Sequence, residues 1–249
     1  MLKFKEKKAM DYWSEIFSKA KYGHTLWDGT ATNPHDPALA YYTAYDFISW
    51  AKNIGMFNKG NKILDLGCGT GLATEVLQEI FPNSEIIGLD YSEAMLDIYR
   101  KRFPKNRTIV GDFNNGKDFY SYPENEKIKL SSNSYDLIIS TGALSVYGNL
   151  NKAIPFVYGL LKDNGIFINS GVKDNLIGQV IGKAWHFKPK GLEEVIDVSR
   201  ASQFSDVEKI HIPLSLFPAN LTRYMVTAKK YNVIRKNIIS YTRIPFIYK

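Results

Sequence analysis

The stretch KILDLGCGTG, residues 62 to 71, decides the fold class that we predict for this chain of 249 residues. Its first half is apolar and has strand character, and its second half places glycine at alternate positions, Gly67, Gly69 and Gly71. Because glycine has no Cβ, such a turn lets the backbone approach a ligand closely. A helix-like segment follows, and the N-terminus of a helix offers free N–H groups. This layout predicts a nucleotide-type cofactor site at the end of a parallel strand.

Short apolar strands alternate with helices after this stretch. Such alternation predicts a parallel sheet that is covered by helices on both faces. The predicted strands are 63–66, 85–90, 108–112, 135–140, 166–169, 207–212 and 224–228, and the predicted helices are 72–81, 93–102, 151–161 and 192–204. Residues 113–134 form a polar loop that is long for a compact domain, so we expect it to be functional or mobile.

Acidic residues end the next two predicted strands. Asp90 ends the second strand, 19 residues after Gly71, and a carboxylate there can accept both ribose hydroxyls of an adenosine. Asp112 ends the third strand, where a side chain can reach an adenine amino group. Since the carboxyl ends of parallel strands meet at one edge of the sheet, the loop and both acids are expected to share one site.

These motifs resemble those of class I S-adenosylmethionine-dependent methyltransferases. ILDLGCGTG (63–71) resembles the first motif of the family, GLDYSEAML (88–96) the second, GDF (111–113) the third and SYDLIIS (134–140) the fourth. LLKDNG (160–165) resembles the turn before the fifth strand, with Asn164 where the family has proline. Asn-Gly is itself a strong turn former, so the turn is still expected. The resemblance covers roughly residues 60 to 170.

The resemblance implies S-adenosylmethionine as cofactor, S-adenosylhomocysteine as product, and no metal. Together with the seven predicted strands, it implies a Rossmann-like, doubly wound, mainly parallel seven-stranded sheet with an antiparallel last strand. Residues 140–144 would form the floor where methyl donor and acceptor meet. The cofactor-binding residues that it implies are Asp65, Gly67, Cys68, Gly69 and Gly71 in the loop, Asp90, Tyr91 and Met95 near the ribose and adenine, Asp112 and Phe113 at the adenine amino group, and Ser140 in the floor.

Three segments are expected along the chain: a helical lid over 1–58, the methyltransferase domain over 59–230 and a basic extension over 231–249. The net charge of +7 comes entirely from residues 223–249, which hold seven basic and no acidic residues. The rest of the chain is formally neutral, which argues against nucleic acid as substrate, because such enzymes present basic surfaces. We expect a small-molecule acceptor, with RNA or protein as the alternative.

Cysteine content and hydropathy give an expected location. Cys68 is the single cysteine, so no disulfide can form within the chain, and a cytoplasmic setting is expected. We expect neither a signal peptide nor a spanning helix, since no apolar run approaches the roughly 20 residues a bilayer requires. A reactive Cys68 thiol is an alternative to a small residue that fits the turn.

The acceptor side matches no motif. A general base is needed only if the acceptor is protonated at the working pH. The candidates are His24, His186 and Tyr147, with His211 and Tyr22 behind them; a surface or packing role is favoured for each histidine, and Tyr147 is better placed as a pocket wall than as a base. The acceptor, the accepting atom and the oligomeric state are not specified by the sequence.

Two other functions are compatible with parts of the pattern. A nicotinamide-dependent dehydrogenase needs Gly-x-Gly-x-x-Gly, but here the third glycine comes one residue early and Asp65 precedes the loop. A non-catalytic cofactor-binding module could act through residues 231–249, whose isoleucines, aromatics and basic residues could contact an anionic membrane surface or a partner.

Overall fold

A computed structural model describes residues 62–184, 187–212, 214 and 219–231. The predicted lid over 1–58 and nearly all of the predicted extension over 231–249 lie outside these residues.

Nine strands form one sheet in the described part of the chain, in the order β5-β4-β3-β2-β1-β6-β7-β9-β8. The strands are β1 Lys62–Leu66, β2 Glu85–Asp90, β3 Arg107–Val110, β4 Phe119–Tyr122, β5 Lys127–Ile128, β6 Tyr135–Thr141, β7 Leu161–Val172, β8 Ser205–Ile210 and β9 Arg223–Lys229. The five central strands, which are β3, β2, β1, β6 and β7 in sheet order, run parallel to one another. The sheet reverses direction on both sides of them, and the last strand β9 is antiparallel to β7, as predicted.

Helices cover both faces of the sheet. They are α1 Leu72–Ile80, α2 Glu93–Arg102, α3 Ala143–Tyr147, α4 Leu150–Leu160, α5 Leu176–Ala184, α6 Leu192–Ala201 and α7 Ala219–Thr222. Side chains of α1 bury against Ile63, Ile139 and Ile168 on one face. Side chains of α3, α4 and α6 bury against Leu64 and Ile138 on the other. We call these the α1 face and the α4 face. The Rossmann-like fold class is therefore confirmed.

The sheet has nine strands rather than seven because residues 113–134 are not a structureless loop. They include β4 and β5, which pair as a hairpin and add antiparallel strands beside β3. Phe119 is buried, and its ring stacks on Phe156 of α4 at 5.6 Å between centroids. Burying this aromatic pair gives the hairpin an apolar anchor that its polar composition hides.

The helix α5 has no counterpart among the sequence predictions, because its apolar pattern is inverted. Leu176 and Val180 are 83% and 67% exposed, whereas Gly178 and Gly182 are buried. An ideal Cβ on Gly178 would lie 1.8 Å from the Lys173 carbonyl oxygen. The helix therefore approaches the sheet through glycine and leaves its large side chains outside, contrary to the usual amphipathic rule. No helix in the described ranges is long and apolar enough to cross a bilayer.

Candidate functional site

The three glycines of the 67–71 turn all have positive φ, but they have different neighbours. An ideal Cβ on Gly67 would lie 2.1 Å from the Ala143 Cβ, and one on Gly71 would lie 2.3 Å from the Phe103 ring. Both are glycine because protein atoms fill the space where a Cβ would be. At Gly69, with φ +52, no described atom lies within 4 Å of that position. Gly69 is thus the glycine of the turn that faces open space.

A second open glycine follows the neighbouring strand. Gly142, with φ +91, follows β6 just as Gly69 follows β1, and these two strands pair directly. No described atom lies within 4 Å of an ideal Cβ on Gly142 either. The carboxyl ends of β1 and β6 are therefore each followed by a glycine with open space beside it. This is the edge where open α/β sheets bind their ligands.

Asp90 joins the turn to the end of β2. Its Oδ2 accepts a hydrogen bond from the Gly69 N–H at 2.8 Å, and its Oδ1 accepts one from the Ser92 N–H at 2.9 Å. Burial raises the pKa of this carboxyl, and these backbone N–H groups partly oppose the rise. Each carboxylate oxygen keeps a second lone pair, so both can still accept hydroxyls. Asp90 can therefore shape the turn and bind a diol together.

Asp65 is fully buried behind the turn, beneath α1. Its Oδ2 accepts a hydrogen bond from the Thr74 hydroxyl at 2.8 Å, while its Oδ1 has no hydrogen-bond partner among the described residues. Burial raises the pKa of Asp65 to about 7, and the Asp90 carboxylate adds to the rise, whereas the Thr74 hydroxyl opposes it. A buried acid with one free oxygen is suited to meet a cationic group of a ligand.

A chain of hydrogen bonds continues from Asp65 to the surface. The Thr74 hydroxyl has one proton, which it donates to Asp65, so the Tyr99 hydroxyl at 3.0 Å must donate to Thr74. The Tyr99 hydroxyl in turn accepts from Asn106 at 3.3 Å, and Asn106 accepts from Gln78 at 3.1 Å. This chain fixes the orientation of Asp65 from the α2 side.

Arg102 also holds the turn, which the sequence motifs do not indicate. One guanidinium nitrogen donates to the Thr70 carbonyl at 2.6 Å, and another pairs with Glu75 in the first turn of α1. Its guanidinium lies 5.0 Å from the centre of the Phe103 ring. A planar donor fork of this kind fixes two groups at once. Arg102 is therefore a positioning residue for the glycine turn.

Asp112 lies in the turn after β3, two residues beyond the strand. Its Oδ1 accepts hydrogen bonds from the Asn114 backbone at 2.8 Å and from the Asn114 side chain at 3.0 Å. The Asn114 Oδ1 in turn accepts a hydrogen bond from the Asn149 N–H at 2.5 Å. Asp112 thus already stabilises a local turn, whether or not it also meets an adenine. Phe113 is buried in the core of the α4 face.

The other predicted cofactor residues differ in how accessible they are. Ser140 is fully buried, and its hydroxyl accepts from the Leu144 N–H at 3.2 Å, so it stabilises the start of α3. Met95 is buried, and Tyr91 is half-buried beside Asp90. Cys68 is 6% exposed, and burial raises the pKa of its thiol, which favours a small residue that fits the turn over a reactive thiol.

Among the described residues, none of the candidate bases has a side chain placed at the carboxyl edge of the sheet. His24 and His186 lie outside them, as does Tyr22, and of Tyr147 only the backbone is described, in α3. His211 is exposed after β8. The described residues contain no group of three or more His, Cys, Asp or Glu side chains placed to hold a metal ion.

Comparison with known proteins identifies the family. A family model described as a methyltransferase domain matches residues 64–167, which include the glycine turn, Asp90 and Asp112. Over these residues the chain is a methyltransferase domain of the class I S-adenosylmethionine-dependent type. The cofactor of this methyltransferase is therefore S-adenosylmethionine.

Curated relatives differ in how much of this methyltransferase they match. A malonyl-[acyl-carrier protein] O-methyltransferase of Priestia megaterium is 24% identical over 218 residues, which cover 78% of this chain and 74% of the relative. A trans-aconitate 2-methyltransferase of Variovorax paradoxus is 31% identical over 105 residues, which cover 42% of this chain and 36% of the relative.

Among solved structures, a possible histamine N-methyltransferase of Thermotoga maritima superposes with a TM-score of 0.61. The alignment has 15% identity and covers 89% of this chain and 99% of that one. At this identity the likeness concerns the fold alone. At this coverage it extends well beyond residues 64–167.

Proposed function

We propose that this methyltransferase binds its cofactor across the carboxyl ends of β1, β2 and β6 and transfers the methyl group to a carboxylate of a small molecule. The observation on which the cofactor placement rests is the pair of open glycines, Gly69 and Gly142, with Asp90 hydrogen-bonded to Gly69. In this placement the methionine part lies along the bare backbone of the turn.

The polar groups that are already in place fit this cofactor. The two oxygens of Asp90 have lone pairs left for the ribose hydroxyls, in the role predicted from the motif. The Oδ1 of Asp65, buried behind the turn, is a further acceptor that has no partner among the described residues. Asp112 has its second oxygen available for the adenine amino group, and half-buried Tyr91 supplies aromatic surface nearby, whereas Phe113 and Met95 are buried.

The carboxylate acceptor is inferred from the chemistry of the relatives. Malonyl groups and trans-aconitate both bear carboxylates, and the relatives named for them match 78% and 42% of this chain. A carboxyl group is ionised at neutral pH, since its ordinary pKa is about 4. Such an acceptor needs no general base. A carboxylate acceptor could therefore be methylated even though the described residues place none of the candidate bases at this site.

The reaction asks little of the protein beyond alignment. When bound, S-adenosylmethionine would supply a sulfonium-activated methyl group for in-line transfer to the carboxylate oxygen, with the electron pair of the broken carbon–sulfur bond left on sulfur. The tasks of the chain are to fix the turn through Asp90 and Arg102, to hold the acceptor in line and to exclude water. Alignment of this kind can contribute several kcal/mol.

A direct assay tests the proposal. Purified protein with tritium-labelled S-adenosylmethionine is supplied in parallel with trans-aconitate, fumarate, total RNA and an unrelated protein mixture. We expect label in an acid-soluble ester that is released by mild alkali. Label only in RNA or in protein would contradict the small-molecule acceptor, and label in an alkali-stable product would contradict the carboxylate.

A further inference from the structure

A row of unengaged hydrogen-bond donors lies along the carboxyl edge of the sheet, beside the proposed cofactor site. The donors are the hydroxyls of Thr141 on β6 and Ser170 on β7 and the guanidinium of Arg223 on β9. All three residues are half-buried. Across the described ranges, no hydrogen bond or ion pair engages these three side chains. Half-buried donors without partners at the ligand edge of an α/β sheet are suited to bind an acceptor-rich group.

Strand register brings the three residues together. Thr141 pairs with Ser170, Ser170 pairs with Met225, and Arg223 pairs with Val172, the last residue of β7. Strands lie about 4.8 Å apart and rise about 3.3 Å per residue, so the Cα atoms of Arg223 and Thr141 are about 12 Å apart. A long arginine side chain covers much of that distance.

The same three side chains share one face of the sheet. Side chains alternate along a strand, so Thr141 follows Ile139, Ser170 follows Ile168, and Arg223 precedes Met225 on the face that these apolar residues occupy. Those three apolar residues bury against α1. Since the glycine turn leads into α1, the donors lie on the cofactor side of the sheet.

The charge of this row is positive. Lys173 follows the last residue of β7 and so lies beside Arg223, the first residue of β9. Its ammonium donates a hydrogen bond to the Asn220 carbonyl at 2.5 Å. The neighbouring acid, Asp174, is exposed and accepts a hydrogen bond from Gln179. Burial lowers the pKa of Arg223, and no carboxylate among the described residues offsets this effect. An anionic partner would therefore relieve an unpaired, partly desolvated guanidinium.

We infer that Thr141, Ser170 and Arg223 bind a second carboxylate of the acceptor, one that is not methylated. This inference rests on the proposed carboxylate methylation and specifies its substrate as a di- or tricarboxylate. A guanidinium draws negative charge from the carboxylate oxygens that it binds. The carboxylate held by Arg223 is therefore a poorer nucleophile than the other carboxylate of the acceptor. The reacting carboxylate then lies toward Gly69 and Gly142, and the second one fixes its direction of approach.

Fumarate and crotonate provide a matched pair of acceptors, because crotonate has a methyl group where fumarate has its second carboxylate. For the wild type we expect kcat/KM for fumarate and trans-aconitate at least tenfold above that for crotonate. Arg223→Gln should remove this preference, mainly through KM, and Arg223→Lys should restore part of it. The matched control Arg200→Gln, at an exposed site on α6, should keep the preference.

A binding experiment separates failure of this inference from failure of the proposed function. Trans-aconitate is titrated by calorimetry into wild type and Arg223→Gln, each loaded with S-adenosylhomocysteine, whose own affinity should differ less than twofold between them. At least tenfold weaker binding of trans-aconitate to the variant supports the anion site even if no acid is methylated, a result that would overturn only the function. Equal binding, no binding to the wild type, or an unchanged fumarate preference in the variant overturns the site.

Discussion

The donor half of the site, residues 62–112, and the acceptor half, residues 133–231, are built from contacts of very different range. The hydrogen bonds that shape the donor half join residues close in sequence, such as Gly69 to Asp90, 21 apart, and Thr74 to Asp65, 9 apart. In the acceptor half, Lys173 bonds Asn220, 47 residues away, and Lys230 bonds Asn133, 97 away. A short motif can therefore encode the cofactor site, whereas the acceptor site depends on the assembled sheet.

This comparison implies that single changes in the donor half can remove cofactor binding while the fold persists, except where a glycine is required by packing. In the acceptor half, outside the cofactor-facing residues Ser140 and Gly142, changes should affect stability or the acceptor and leave cofactor affinity alone. Four variants test this division.

Gly67→Ala should have the largest effect, because the new Cβ would clash with Ala143 and φ is +73. We expect a loss of stability of at least about 3 kcal/mol, since left-handed strain alone costs about 1–2 kcal/mol. Gly69→Ala is the matched control, with φ +52 but open space around its Cβ. It should lose only about 1–2 kcal/mol by urea denaturation, yet bind S-adenosylmethionine at least tenfold more weakly. Equal stability loss in both variants would contradict the separate roles of the two glycines.

Lys230→Met tests the acceptor half. The Lys230 ammonium donates to Asn133 at 2.7 Å and to the carbonyls of Tyr158 and Leu161 at 2.9 and 2.8 Å, and the residue is buried. Its loss should cost about 2–3 kcal/mol in urea denaturation. S-adenosylmethionine affinity should change less than twofold. Lys229→Met, at the half-buried neighbouring position, should cost less than about 1 kcal/mol. A similar cost at both positions would show that the three hydrogen bonds of Lys230 make no specific contribution to stability.

Asp65→Asn should change how stability depends on pH. The pKa of Asp65 is raised to about 7, so the folded protein holds a proton that the unfolded chain releases. Stability from this group is therefore lost as pH rises from about 4 to about 7, at up to about 1.4 kcal/mol per pH unit. The variant, free of cofactor, should flatten this slope and be more stable than wild type at pH 8, in contrast to exposed Asp163→Asn. An unchanged slope in denaturation at pH 5 to 8 would argue against a buried ionisable Asp65.

Asp90→Ala should weaken S-adenosylmethionine binding at least tenfold, or about 1.4 kcal/mol, because both the ribose contact and the Gly69 anchor are lost. Calorimetry measures this directly, with NAD as a ligand that should not bind to the wild type. Asp112→Ala should have a smaller effect, since Asp112 also serves its own turn through Asn114. Unchanged affinity in Asp90→Ala would remove the ribose assignment.

The donor half could be predicted from sequence because each of its parts is local. Strand β2 and helix α2 have the predicted bounds, and Ser92 caps α2 as expected, by accepting from the Met95 N–H at 3.4 Å. Arg102 was not predictable, since its contact with Thr70 joins residues 32 apart without a motif.

The acceptor half could be predicted only as strands and helices. Arg223 belongs to the basic run 223–249, but in the structure it starts β9 inside the sheet, and Lys230 is buried. Thr141 and Ser170 look like ordinary strand ends, and only the register of three strands aligns them with Arg223. Helix α5 was missed because glycine, not its apolar residues, faces inward.

A crystal structure with S-adenosylhomocysteine bound tests the central claim most directly, namely that the cofactor lies between Gly69 and Gly142 with its ribose on Asp90. We predict both ribose hydroxyls within hydrogen-bond distance of the Asp90 carboxylate and the sulfur beside Gly142, at the carboxyl end of β6. A ribose bonded elsewhere, with Asp90 holding only Gly69 and Ser92, would contradict the account.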